Sequence, residues 1–401
     1  MKRRVVFIVL DSVGLTAAPD AAAFGDEGAS TLGNLYRYRQ KQDRDFAVPN
    51  LHRAGLDDLF YRHGIMKEPP SGNKNAAWGT LEEVSRGKDT SSGHWEFAGI
   101  PQSKAFPIFP QGFPASLIEA WCRANHLPGV LGNSVASGTT IIEDLGEEHL
   151  RTGKPIVYTS SDSVFQVAVH EESFGLERLY RICESARELL NPLNVGRVIA
   201  RPFVGTDAKN FARTENRKDY SVMPDYPNLL DVISENGNFV YGVGKIDDIF
   251  CHRGLTRTNH TGRNETSMQA TLQALEETRG ESGLIFVNLI DFDQKYGHRR
   301  DPEGYATCVE SFDAWLPQLL GELGPEDLLI VSADHGNDPT FKGTDHTREL
   351  VPFFIYGTGV SPRYLGNFRG FQHISKWVLD YLNLSDQKLA HVHPLTSLEL
   401  S

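Results

Sequence analysis

Four stretches of the chain are apolar almost without interruption: VVFIVLD at 5–11, NFVYGVG at 238–244, GLIFVNLIDFD at 283–293 and DLLIVSADHG at 327–336. Runs of Val, Ile, Leu and Phe without polar alternation suit strands buried on both faces, the condition of a parallel sheet covered by helices. Between the third and fourth runs, the segment 301–324 has Pro302 near its start and Gly324 at its end. Phe312, Trp315, Leu319 and Leu320 fall at helical spacing within it, so it reads as a helix. Strand, helix and strand in succession predict a parallel pair with a right-handed crossover, and hence an α/β protein: a mostly parallel sheet flanked by helices.

The pattern changes between 106 and 220. Turn residues become frequent, a helix is predicted at 176–190, and PIVYTSSDSVFQVAVHEE and VGRVIARPFVG accompany it. This stretch reads as a smaller α+β unit inserted into a core made of 1–105 and 221–401. The polar segment 214–228, with two prolines, reads as the linker that returns to the core.

Acidic residues stand where the predicted strands end. The first ends in Asp11, the 283–293 run in Asp291 and Asp293, and the 327–336 run in Asp334 followed by His335; His298 lies five residues beyond Asp293 and His346 eleven beyond His335. Ligands of open α/β sheets bind beyond the carboxyl ends of the strands. A single Asp there is usually a turn former, but three Asp and three His at one sheet edge make a coherent donor set. Mixed imidazole and carboxylate without thiolate suits Mn, Fe or Zn better than Mg, and six such ligands suit two ions. A pair of ions about 3.5–4 Å apart can hold both the attacking and leaving oxygens of a phosphoryl transfer. Asp291 competes with Asp293 for the same role.

Composition narrows the partners. With 52 acidic and 40 basic residues the net charge is −12, against a general binder of nucleic acid. Cys122, Cys183, Cys251 and Cys308 show no CxxC spacing, so neither a thiolate metal site nor a disulfide framework is expected and a reduced, cytoplasmic setting fits. The opening MKRRVVFIVLD imitates a signal peptide, but its apolar run from Val5 to Leu10 is cut by Asp11 and is shorter than the roughly 7–15 residues of a secretory core. No segment approaches the roughly 20 apolar residues of a membrane span, and no protein partner is called for.

A nucleophile is offered by SRGKDTSSGHWEFAG at 85–99, where Thr90, Ser91 and Ser92 lie in a glycine-flanked turn. Hydroxyls in such a turn also serve as helix caps. As a nucleophile a hydroxyl needs activation, which metal coordination provides, and a helix N-terminus would favour the phosphate it acquires. Residue type alone does not choose among the three.

VLDSVG, GKDTSSGHWE, YTSSDSVFQ, GRVIARPFVG, DFDQKYGHRRD and ADHGNDPTFKGTDHTRE, in this order and over nearly the whole chain, resemble the phosphopentomutases, a family of the alkaline phosphatase superfamily. ADHG by itself indicates only the superfamily. The resemblance implies an alkaline-phosphatase-like core with an inserted cap, and isomerisation of ribose 1-phosphate and 2-deoxyribose 1-phosphate to the 5-phosphates. It implies two Mn2+ ions, a phosphothreonine and a sugar bisphosphate as activator. One ion then matches Asp11, Asp334, His335 and the Thr90 oxygen, and the other Asp293, His298 and His346. Thr90 matches the nucleophile because it follows GKD. Contacts to the sugar phosphate fall on Asp162, Arg197, Arg213 and Lys245. Arg197 lies beside an apolar run, where an unpaired charge is costly, and Arg suits bidentate phosphate contacts.

On this reading the 106–220 insertion closes over the site and keeps water from the phosphothreonine. A phosphatase or phosphodiesterase of the same superfamily would share the metal ligands and differ in excluding water less well. A non-catalytic metal-binding protein would need no hydroxyl in GKDT.

Overall fold

A computed structural model describes residues 2–160, 163–224, 227–389 and 395–397. The chain divides into two compact units, Met1–Lys104 with Pro224–Ser401, and Ala105–Met223.

Among the described residues, the first unit is built on a nine-stranded sheet. From one edge its strands are Arg257–Asn259, Phe239–Val243, Gly283–Leu289, Arg4–Leu10, Asp327–Ser332, Glu349–Gly357, Ala77–Glu82 and Tyr364–Arg369, and the short Thr16–Ala17 pairs with Glu349–Gly357. All four apolar runs are strands here. The central Arg4–Leu10 runs parallel to both neighbours, with Phe7 opposite Phe286 and Ile330. Its side chains are buried along its whole length, which is why the sequence shows no alternation.

Two expectations need correction. The strands Gly283–Leu289 and Asp327–Ser332 are parallel but not adjacent, because the first strand of the chain lies between them. The connecting helix Pro302–Glu322 is about 32 Å long at 1.5 Å per residue, enough to pass over an intervening strand. The polar 214–228 segment is not all linker, since Lys218–Ser221 forms an edge strand antiparallel to Arg197–Val204. The half of the sheet beyond Asp327–Ser332 also contains antiparallel pairs, through Glu349–Gly357. Pro352 lies inside that strand, an unusual place for a residue without an amide proton.

Among the described residues, the second unit is built on a six-stranded sheet ordered Leu131–Val135, Ile156–Thr159, Val164–His170, Arg197–Val204 and Ala212–Arg213, with Lys218–Ser221 added to Arg197–Val204. Alternate residues serve its two faces. Val157, Phe165, Val167 and Val169 pack with the helix Leu176–Leu190, whereas Ile156, Tyr158 and Ala168 pack with the helix Gly138–Thr152.

Candidate metal centre

Three strands of the core, Arg4–Leu10, Gly283–Leu289 and Asp327–Ser332, lead into the acids, each through a different local device. Asp11 follows Arg4–Leu10, and the next residue, Ser12, takes a left-handed φ of 73°. Such a backbone is costly for a residue with a side chain. It is held by the Ser12 amide donating to Asp334 Oδ1 at 3.0 Å, and by hydrogen bonds of 2.8 Å between the Tyr305 hydroxyl and both Ser12 oxygens. Asp293 lies on a π-helical turn, Phe292–Gly297, a form that recurs at functional sites. The His298 amide donates to the Asp293 carbonyl at 3.1 Å, an i to i+5 bond that brings two residues five apart onto one side. Asp291 is engaged elsewhere, accepting from the Asn264 amide at 3.1 Å, so it does not compete.

Asp334 and His335 follow Asp327–Ser332, and the loop continues to His346. Arg300 braces that loop by donating to Asn337 Oδ1 at 2.9 Å, to the Asp338 carbonyl at 2.7 Å, to the Asp345 carbonyl at 3.2 Å and to the Gly343 carbonyl.

The three histidines share one arrangement. Nδ1 donates to a backbone carbonyl in each: His298 to Thr344 at 2.8 Å, His335 to Gly336 at 3.1 Å and His346 to Lys88 at 3.0 Å. A proton on Nδ1 leaves the Nε2 lone pair as the outward-facing atom, the form in which imidazole binds metal. The Nε2 atoms then converge on the carboxylates. His298 is 3.1 Å from Asp293 Oδ2, His346 is 3.4 Å from Asp293 Oδ1, and His335 is 3.5 Å from Asp11 Oδ1 and 3.4 Å from Asp334 Oδ2. Nε2 of His298 and of His346 face each other at 3.1 Å. Lone pairs pointed at one another and at carboxylates repel unless a cation lies between them. Among the described residues Asp11 Oδ1 is buried with no hydrogen-bond donor, and beside Asp334 Oδ2 there is only His94 Nδ1 at 3.1 Å, whose proton is directed to the Thr90 carbonyl. The donor set therefore fits divalent cations. Asp11, Asp334 and His335 form one compact group, and Asp293, His335 and His346 another.

Electrostatics agree. Burial, then the neighbouring carboxylates Asp334 and Asp293, push the Asp11 carboxyl well above its ordinary value. Burial opposes charge on Asp293 as well, but the positive charge that His346 and His298 carry when protonated more than offsets it and holds that carboxyl well below the usual range, so this carboxylate calls for a cation beside it. Asp334 is lowered against burial by His335 and His94. Burial pushes His335 down, keeping it neutral. The crowded carboxylates are stabilised only in part by the chain itself, and a bound cation would supply the rest.

Thr90 opens the helix Thr90–Phe97, and its Oγ1 lies 3.3 Å from His335 Nε2. Asp89 caps that helix, accepting from the Ser92 amide at 3.1 Å and the Ser92 hydroxyl at 2.7 Å. Ser92 is thus committed to the cap and fully buried. Gly93 permits the helix to approach the metal loop, because a Cβ there would collide with the Asp334 carbonyl and side chain.

Lys245, just beyond the strand Phe239–Val243, lies close enough to Asp11 to favour its charged form. Asp162 lies outside the described residues. Arg197 and Arg213 belong to the second unit. Arg197 starts a strand and lies 3.7 Å from Asp219, while Arg213 is exposed on a short edge strand. Arg201 and Arg217 lie near Arg213. Burial and the proximity of Arg217 hold the Arg201 guanidinium down at about 10. The buried Tyr158 hydroxyl has no hydrogen-bond partner among the described residues. A Cβ on Gly138, at the start of the helix Gly138–Thr152, would meet both that hydroxyl and the Arg213 guanidinium. Guanidinium groups, an unpartnered hydroxyl and a helix N-terminus together suit an anion.

Sequence reasoning missed the side chains that touch these carboxylates. Asn337 donates to Asp293 Oδ1 at 2.7 Å, Asn288 to Asp11 Oδ2 at 3.1 Å, and His94 lies 3.1 Å from Asp334 Oδ2. A signal existed only for Asn288, a single amide in the fully buried strand Gly283–Leu289.

The family described as the Metalloenzyme superfamily matches residues 3–386, which sets the class to which this sheet and its edge of acids and imidazoles conform. A phosphopentomutase of Symbiobacterium thermophilum is 56% identical over 361 residues, 90% of this chain and 89% of that protein. One of Chromohalobacter salexigens is 50% identical over 377 residues, 92% and 89% of the two chains. Among solved structures, a protein from Pyrococcus horikoshii shares the fold at a TM-score of 0.50 and 15% identity, covering 96% of this chain and 99% of that one. The chain belongs to the phosphopentomutase family, with an alkaline-phosphatase-like α/β core, and is an enzyme of the isomerase type.

Proposed function

We propose that the chain interconverts the 1-phosphates and 5-phosphates of ribose and 2-deoxyribose, acting on these small molecules in the cytoplasm at a site that holds two Mn2+ ions. Asp11, Asp334, His335 and the Thr90 oxygen hold one ion; Asp293, His298 and His346 hold the other. The observation that carries the reading is the position of Thr90 Oγ1 beside His335 Nε2, at the edge where six metal-type ligands converge. The identity to proteins named phosphopentomutase adds the reaction class.

Thr90 carries the phosphoryl group in the resting enzyme, and a sugar bisphosphate primes it. The bond between Thr90 Oγ and phosphorus breaks as one forms to a hydroxyl oxygen of the incoming pentose monophosphate. The hydroxyl proton is released, and a 1,5-bisphosphate results. After that molecule turns round, its other phosphate returns to Thr90 and the isomerised monophosphate leaves. Bound divalent ions supply positive charge to the phosphoryl oxygens. The N-terminus of the helix Thr90–Phe97 favours the phosphate on its first residue. Arg197, Arg213 and Lys245 bind the sugar phosphate, Asp162 its hydroxyls, and the 105–223 unit acts as a cap that keeps water from the phosphothreonine.

The test supplies purified protein with Mn2+, a trace of ribose bisphosphate and ribose 5-phosphate. Ribose 1-phosphate should accumulate with little inorganic phosphate. Release of phosphate in step with loss of substrate would instead assign a hydrolase.

A further inference from the structure

The helix that begins at Thr90 is tied to the carboxylate of Asp11 by two buried side chains to which the reading above gives no part. His94 stands one turn after Thr90 and is fully buried. Its Nδ1 donates to the Thr90 carbonyl at 2.9 Å, and the same edge of the ring lies 3.1 Å from Asp334 Oδ2. On the opposite edge, His94 Nε2 lies 3.3 Å from Asn288 Nδ2, which also donates to Asp11 Oδ2 at 3.1 Å. The Asn288 amide has two protons, one for each acceptor, so His94 Nε2 accepts and its own proton rests on Nδ1. The ring cannot turn freely. Phe286 stacks on it at 5.8 Å and Phe97 packs edge-on at 6.3 Å.

We propose that His94 and Asn288 are positioning residues, forming one hydrogen-bonded chain that couples Thr90 to the carboxylates of a single metal position. Engaging Asp11 Oδ2 leaves Oδ1, which has no donor among the described residues, directed at His335 Nε2. Placing a proton-bearing edge beside Asp334 Oδ2 limits how that carboxylate turns. A shift of the helix carries His94 with it and releases Asp11 through Asn288. Asp293 is oriented separately, by Asn337, so the coupling reaches only one of the two positions. The inference rests on the two-ion reading above.

The experiment is a calorimetric Mn2+ titration of the full chain, paired with thermal melting of the metal-free protein. Asn288→Ala and the milder Asn288→Ser should weaken one of the two Mn2+ steps about 10- to 100-fold, as loss of an outer partner of a ligand does, and leave the other within about twofold. His94→Gln, whose amide reaches the Nε2 position and leaves Nδ1 unreplaced, should weaken the same step and lower kcat at saturating Mn2+. His94→Asn puts an amide nitrogen near the Nδ1 position and should recover part of that kcat. Unchanged titrations in Asn288→Ser and His94→Gln, with two ions still bound by the parent, would overturn this inference alone. Equal weakening of both steps with a lowered melting temperature would reduce the chain to a packing feature and overturn it too. A parent that binds fewer than two ions overturns the two-ion reading and, with it, this one.

Discussion

Thr90 Oγ1 lies 3.3 Å from His335 Nε2, on the side of the imidazole opposite the proton that Nδ1 gives to the Gly336 carbonyl. A hydroxyl at that place can share a cation with the ring. Ser92, two residues on, has its own hydroxyl turned away to Asp89. Thr90→Val should therefore abolish both isomerisation and covalent phosphate. Ser92→Ala should keep the phosphoenzyme and lose about 0.5–1.5 kcal/mol of stability with its buried hydrogen bond. Mass spectrometry of peptides from protein incubated with the sugar bisphosphate checks both, and phosphate on Ser91 or Ser92 would refute the assignment.

Asp334→Asn removes a ligand charge and almost no volume. Metal content measured on the purified protein should fall and turnover should drop sharply, while the far-ultraviolet circular dichroism spectrum stays that of the parent. Full metal stoichiometry with normal turnover would remove Asp334 from the site.

Gly93→Ala tests how tightly the helix Thr90–Phe97 must approach the metal loop. The added methyl meets the Asp334 carbonyl, so one of the two must move. Overpacking of this kind costs about 1–3 kcal/mol, read as a lower denaturation midpoint, and turnover should fall with it because Thr90 travels with the helix. Parental stability and rate in this variant would show that the contact is not limiting.

Arg213→Ala removes a charge from the proposed contact to the sugar phosphate. Losing a charge-assisted hydrogen bond of about 1.5–3 kcal/mol should lower kcat/KM about 10- to 150-fold. The ratio of inorganic phosphate to isomerised product should rise. If rate and ratio both match the parent, Arg213 does not hold the substrate.

Glu349 gives the chain a pH dependence of predictable sign. Burial, then the proximity of Asp338, raises its carboxyl to about 8. Between an ordinary carboxylate value and that figure, the folded protein keeps a proton that the unfolded chain releases. Stability from this group therefore falls as pH rises from about 4.5 to 8, by at most about 1.4 kcal/mol per unit. Glu349→Gln should flatten that slope, since an amide can meet the Thr31 and Thr347 hydroxyls and the Thr31 amide that Glu349 now contacts. Urea denaturation of parent and variant at pH 5.5 and 7.5 is the measurement, and equal slopes would show that Glu349 is not the group responsible.

The sequence by itself determined the class of fold and the metal-type donors. Strands covered on both faces must be apolar throughout, and a chain that places carboxylates directly after such strands has put them at one sheet edge. The positions of Asp11, Asp334 and His335 follow from that. Other features depended on contacts between distant segments. Nothing local separates Asp293 from Asp291; the π-helical turn and the Asn264 amide do so. Thr90, Ser91 and Ser92 are alike as residue types; the sequence singled out Thr90 only through its place after GKD in the family resemblance, and the Asp89 cap and the nearness of His335 set it apart in the structure. The strand Glu349–Gly357, with its internal proline, is set antiparallel by its two neighbours rather than by its own pattern. The partners of His94, Asn288 and Asn337 were not legible, even though Asn288 stood out as a polar residue in a buried strand, because a hydrogen bond between side chains up to 277 positions apart leaves no periodicity in the sequence. Burial is written into each segment by its own composition, whereas the direction of a side chain at the site is fixed by whichever partner the fold brings beside it.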